Sequence, residues 1–329
     1  MTVSQVAVRE EPFEGVAPEW SALAAQVPAP IPFAMPEWQR VWLRHFQDGR
    51  ELRVVTMRDG DRLVGVAPLL IDGDRAEFVG HYSICDYMDA VVAPGMERAF
   101  YEMTLQHLAD GGVKSVDFRG VRASSPTLDG VCDCAQACGY ALEKQDEAVA
   151  PAVDLPSTWD DYLGQLSKKD RHELRRKLRR LMSAGGVDLH VVTGADEASE
   201  KLDTLFHLMR ISSHHKEEFL DRPGMEAFFR DMTRTMASCG MLRFYFLTFD
   251  GQPVASVMNF DVAGVLYMYN SGYDPAYSHY AVGLMSKALL MQDAIEQGRT
   301  RVDFLRGDES YKYDLGGKDQ QVYRLVLSR

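Results

Sequence analysis

The sequence predicts an α/β fold of mixed sheets, laid down twice along one chain. Three observations carry this reading. LRVVTMRDGDRLVGVAPLL at 52–70 and LRFYFLTFDGQPVASVMNF at 242–260 each read as strand, Asp-Gly turn, strand. Gly supplies the positive φ that a tight hairpin needs. Each copy is followed by a helix-period stretch closed by Gly, at 99–112 and 282–298, and then by SVDFRG at 115–120 or RVDFLRG at 301–307. The separations between copies stay at 186 to 191 residues, so an ordered set of elements repeats, not one hairpin by chance.

Taken in chain order, residues 1–30 hold Pro12, Pro18, Pro28 and Pro30 and read as an irregular lead-in before a helix near 36–47. The first hairpin, helix and strand complete a first unit over 1–150. Residues 151–240 read as mostly helical and as part of the second unit. Ser157 to Asp160 and Ser167 to Asp170 resemble capping boxes, which predicts helices over 158–166 and 168–184 with Gly185-Gly186 as the stop. Further helices are expected at 197–215 and, after Arg222-Pro223, at 224–239. Residues 241–329 form the second core. In its helix Leu284, Ala288, Met291 and Ile295 follow the 4-3-4 spacing of one face.

Composition limits the function classes. Over 329 residues, 46% are hydrophobic and 26% charged, as in ordinary globular proteins. No apolar run approaches the roughly 20 residues a membrane span requires. The acidic start MTVSQVAVREEPFEGV lacks the pattern of a signal peptide, and five cysteines then read as reduced thiols in a cytoplasm. A net charge of −12 argues against a protein that coats nucleic acid or anionic membrane, so any polyanion site must be local.

Two polar segments follow strands of the second copy. After GVLYMYN at 264–270, the loop SGYDPAYSHYA leads into a helix opening near Val282-Gly283. Unpaired N–H groups at a helix start suit a pyrophosphate, and Gly283 would let the backbone approach it; a plain crossover without ligand is the alternative. After the last repeated strand comes FLRGDESYKYDLGGKD at 304–319, with Lys312 between Tyr311 and Tyr313. A lysine ammonium can stabilise an oxyanion or clamp a phosphate, whereas Asp308 and Glu309 read as acid/base groups or as loop solvation.

Other clusters read more plainly. Residues 168–180 carry eight Lys/Arg against two acidic residues, either a solvated basic face or a surface for RNA or a phosphorylated substrate. Cys132, Cys134 and Cys138 lack a second ligand pair, so no metal is expected. His214, His215, Glu217 and Glu218 read as a solvated helix end.

The run LMSKALLMQDAIEQGRTRVDFLRGDESYKYDLGG resembles the C-terminal signature of Fem-type peptidyltransferases and of acetyltransferase-like proteins associated with cellulose biosynthesis. FAMPEWQRVWLRHF and TWDDYLGQLSKKDRHELRRKLRRL resemble the acetyltransferase-like branch, and the similarity covers most of 33–329. The resemblance implies two tandem GNAT-like (acyl-CoA N-acyltransferase) units. It implies acyl transfer from an acyl-CoA-type thioester, acetyl-CoA included, to an amine or hydroxyl acceptor bound between the units. That acceptor would be a small molecule or a cell-envelope precursor. The alternatives are an aminoacyl-tRNA donor, with the 168–180 helix touching the RNA, and a non-catalytic binding protein of the same fold.

Lys312 matches the family's aromatic-Lys position, where the lysine assists the transition state; Tyr311, Glu309 and Asp86 complete the expected catalytic set. Ser278, His279, Tyr280, Ala281, Val282 and Gly283 stand at the donor's pyrophosphate loop, matched only in part, since Ser278 replaces the basic residue and Ala281 the first Gly. In HYSICDYMDAVV at 81–92, Asp86, Tyr87 and Asp89 resemble the branch's Asp-Tyr element, which would orient an acceptor amine or take its proton; a purely structural cap is the other reading. Tyr87, Asp89, Arg119, Asn270 and Tyr273 are the expected substrate-binding residues.

Overall fold

The structure is a computed structural model and describes residues 6–329. The chain forms two compact units, one running to Val149 and including Gln320–Arg329, the other spanning Ala150–Asp319. In the first, β1 (Val6–Glu10), β2 (Glu51–Asp59), β3 (Arg62–Asp72), β4 (Arg75–Phe78), β5 (Val91–Val92), β6 (Ser115–Arg122) and β7 (Ala141–Val149) follow in chain order. β1 to β4 are antiparallel neighbours, and β6 joins β4 in parallel after the helix Glu97–Asp110.

The second unit holds β8 (Ala152–Asp154), β9 (Val187–Val192), β10 (Leu242–Phe249), β11 (Gln252–Val262), β12 (Val265–Tyr273) and β13 (Arg301–Asp303). Its sheet runs β8-β13-β12-β11-β10-β9, with β13 parallel to β12 after the helix Val282–Glu296. The predicted repeat is therefore present as topology: β2-β3-β4, helix and β6 against β10-β11-β12, helix and β13. Both hairpins carry a bulge at the matching place, after Met57 in β2 and after Leu247 in β10. The turns differ in register. Gly60 with φ 61° and Asp61 connect the first hairpin, whereas Asp250 and Gly251, at φ 46° and 79°, connect the second.

β14 (Gln321–Ser328) departs from the expected boundary. Residues 241–329 were expected to form one core, yet β14 lies between β6 and β7 in the first unit's sheet. Its Val322, Leu325 and Leu327 are fully buried there, because a β strand can complete any sheet whose edge and apolar face match it.

The lead-in is more regular than its prolines suggested. Besides β1 it holds the helix Phe13–Ala24, whose Val16, Trp20 and Leu23 bury one face while Pro18 sits inside it. Residues 1–5 of that lead-in lie outside the described residues. The helical segment is interrupted by β8 and β9, the latter an alternating VDLHVV run paired with β10. Helices appear at Trp159–Gln165, Lys168–Met182, Ala195–Ser212, His214–Leu220 and Met225–Ser238. Ser167 caps its helix as predicted, accepting from the Asp170 N–H, whereas the preceding cap is Thr158, one residue later than expected.

Candidate active site

The second unit's sheet opens into a wedge. β12 and β13 pair only from Val265 and Arg301 to Tyr267 and Asp303. β12 then continues along β11 to Tyr273, while the chain after Asp303 turns through Leu305 at φ 59° and Gly307 at φ 112°. Backbone carbonyls left without a strand partner need other donors. Lys216 Nζ donates to the Ser271 carbonyl at 2.5 Å, and Lys312 Nζ donates to those of Leu305, Arg306 and Gly307 at 3.0, 2.8 and 3.0 Å.

Lys312 is thereby explained differently from its sequence reading. It is 1% exposed and also pairs with Glu309 Oε2 at 2.9 Å. An ammonium has three N–H groups, and four acceptors already surround this one. It holds the 305–307 turn and is not a free cation awaiting an oxyanion. Burial raises the Glu309 carboxyl pKa, but the Lys312 hydrogen bond and charge outweigh it and hold the group below the usual range. Glu309 pairs with Lys312, while the Tyr311 ring faces a lysine that the sequence pattern did not single out.

That lysine is Lys287, 6% exposed on the helix Val282–Glu296 among fully buried Met285, Ala288, Leu290 and Met291. Its Nζ donates to the Gly283 carbonyl at 2.9 Å and stands 4.8 Å from the centre of the Tyr311 ring. No carboxylate forms an ion pair with it among the described residues. Burial, reinforced by the charge of Lys216 and opposed by that of Glu309, lowers its pKa from 10.5 to about 7. Burial also pushes the Lys216 pKa down. The available signal was a lone lysine inside an otherwise apolar turn; Lys216 was hidden among its polar neighbours His214, His215, Glu217 and Glu218.

The loop before this helix is a 3-10 turn, Pro275–Tyr280, begun by the Asp274 carboxylate accepting from the Ala276 N–H at 2.9 Å. Ala281, at φ 56°, opens the helix without a side-chain cap, which leaves the helix start to backbone N–H groups. Several expected donor residues have packing roles. Tyr280 lies 5.1 Å from the Phe249 ring and 3.9 Å from His279, Val282 is fully buried, and the Ser278 carbonyl accepts from Ala281. Gly283 also has a packing reason to lack a side chain. A Cβ there would lie 2.9 Å from the Tyr273 ring. Asn270 sits on β12 opposite Met258.

The expected residues of the first unit do not form one group. Tyr87 is buried beneath the Arg122 guanidinium, 5.5 Å from its ring centre. Asp89 is buried, accepts from the hydroxyls of Ser125 at 2.6 Å and of Thr127, and lines a cavity of about 450 Å³. Arg119 lines a different cavity of about 270 Å³, pairs with Glu147 at 2.6 Å and lies over the Tyr82 ring. The Asp86 backbone passes close to Gly120, where a Cβ would lie 3.2 Å from its carbonyl oxygen.

Among the described residues no cluster of His, Cys, Asp or Glu could hold a metal, and burial raises the Cys134 thiol to about 12. No described helix is long and apolar enough to cross a membrane. The helix Lys168–Met182 turns Leu174 and Leu181 inward and exposes Lys168, Lys169, Arg175, Arg176, Arg179 and Arg180.

The acetyltransferase (GNAT) domain family matches residues 168–313, which include the whole wedge. No curated protein sequence matches the chain. The crystal structure of FemX is similar over 97% of this chain and 96% of its own, with a TM-score of 0.65 at 11% identity. L-PGS from Bacillus licheniformis matches over 89% and 91%, with a TM-score of 0.56 at 16% identity. A tandem GNAT protein from the clavulanic acid biosynthesis pathway covers 98% of each chain, with a TM-score of 0.50 at 13% identity. With its repeated topology and its wedge, the chain has the Fem-like, tandem GNAT fold, and residues 168–313 of it match the acetyltransferase (GNAT) domain family.

Proposed function

We propose that the chain transfers an acyl group from an acyl-CoA-type thioester to an amine or hydroxyl at the wedge of its second unit, with Lys287 receiving the acceptor's proton. One observation carries this reading: a buried lysine without a carboxylate partner, poised near neutrality, beside the uncapped start of the helix Val282–Glu296. The acceptor nitrogen or oxygen bonds to the acyl carbon, the C–S bond breaks, and the thiolate departs. Direct attack of this kind needs positioning, a proton acceptor and donors for the developing oxyanion, and no covalent enzyme intermediate. The backbone N–H groups of Val282 and Gly283 are the donors we assign to the thioester donor's polar part. Because Ser278 supplies no positive charge there, the helix start carries that task alone.

Thiol release from acetyl-CoA and longer acyl-CoAs in the presence of amine acceptors tests the proposal. Turnover with at least one pair is expected, and turnover only with aminoacyl-tRNA would replace the thioester donor. The exposed cations of the helix Lys168–Met182 favour that second donor, as six of them stand on one short helix of an acidic chain. Ligand binding without turnover by any donor would make the chain a binding protein on this fold.

A further inference from the structure

The first unit contains a cavity of about 450 Å³ beside β5, in the size range of sites for small organic molecules. Part of its wall is apolar, with Pro28, Ile31, Ala34, Ala90 and Val92. The rest is charged and unbalanced: Asp89, Glu97, Asp129 and Asp133 face Arg98 and Arg122. The inner members compensate each other. Asp89 accepts from Ser125 and Thr127, and the charge of Arg122 opposes the burial that raises its pKa. Arg122 donates to the Ala29 carbonyl at 2.9 Å, yet its buried Nε–H finds no acceptor. The outer carboxylates are unmatched. Asp129 and Asp133 are exposed one turn apart on the helix Pro126–Cys134, and among the described residues neither they nor Glu97 forms an ion pair. Like charges at that spacing repel and destabilise a helix. Glu97, Asp129 and Asp133 outnumber Arg98 beside the apolar part of the wall, so the excess negative charge attracts a cation, and a buried N–H without an acceptor attracts a carbonyl or hydroxyl oxygen.

We propose that this cavity binds an organic amine. Its apolar body lies against Ile31, Ala34 and Val92, its ammonium sits among Glu97, Asp129 and Asp133, and an acceptor at its inner end meets the Arg122 Nε–H. The site is independent of the transfer chemistry assigned to the second unit, so failure of either reading leaves the other standing.

Calorimetry and thermal shift on the full chain test it with hexylamine, N-(5-aminopentyl)acetamide, hexanol and hexanoate. The amido-amine should bind tightest, hexylamine should bind about tenfold tighter than hexanol, and hexanoate should bind weakest. Asp129 and Asp133 are exposed, so the Asp129→Asn/Asp133→Asn variant should keep the fold. It should lose about tenfold of amine affinity while hexanol binding stays within about twofold. Hexanol or hexanoate binding as well as hexylamine would overturn the proposal. So would unchanged amine affinity in the double variant, or no amine binding at millimolar concentration.

Discussion

Replacing Lys287 with Met separates chemistry from stability, because Met keeps the apolar stem and removes only the ammonium. The folded chain holds the Lys287 proton only below about pH 7, against an ordinary value of 10.5. That difference corresponds to at most about 5 kcal/mol of cost for keeping the charged form buried. Between the two values the unfolded chain binds the extra proton, so stability rises with pH across this window. Below 7 both states are protonated and the full cost stands. Met escapes this cost but loses the bond to the Gly283 carbonyl and the contact with Tyr311, together worth roughly 1–3 kcal/mol. Lys287→Met should therefore be no less stable than wild type at pH 6, with its advantage shrinking towards pH 9, as read by urea unfolding. In the transfer assay, kcat/KM of wild type should rise through pH about 7 and level off. The variant should lose that rise and fall by about 10²–10⁴. A variant that retains the rise and turns over within about threefold of wild type would remove Lys287 from the chemistry.

Lys312→Met should behave in the opposite way, losing about 3 kcal/mol or more of stability because buried carbonyls at 305–307 lose their donor; unchanged urea unfolding would refute the anchoring role. Reversing Arg175, Arg176 and Arg179 to Glu should weaken and flatten the salt dependence of binding to tRNA or heparin without altering the fold. Salt-insensitive, wild-type binding would return that helix to a solvated face. Deleting Gln320–Arg329 should abolish folding of the first unit, since β14 lies inside its sheet and buries Val322, Leu325 and Leu327; calorimetry showing undiminished unfolding enthalpy would contradict this.

Local pattern made much of this protein legible from sequence. The Asp-Gly hairpins, the helix of the second core and the Val-Asp-Phe strands follow from periodicity and turn chemistry, which act over a few residues, and their repetition gave the tandem plan. The Ser167 cap and the exposed basic face of its helix were readable for the same reason. The lead-in helix escaped because Pro18 outweighed, in the reading, the spacing of Val16, Trp20 and Leu23. Position in three dimensions decided the rest. The sequence of β14 specifies a strand but not which sheet receives it. Lys312 reads as a free cation until the turn at 305–307 surrounds it with carbonyls, and Lys287, which no motif of the sequence marks, gains its setting only from burial beside the Tyr311 ring. The wedge between β12 and β13 is decided the same way, by where parallel pairing stops. Burial and long-range pairing set a lysine's charge and partners, and neither is encoded in its sequence neighbours.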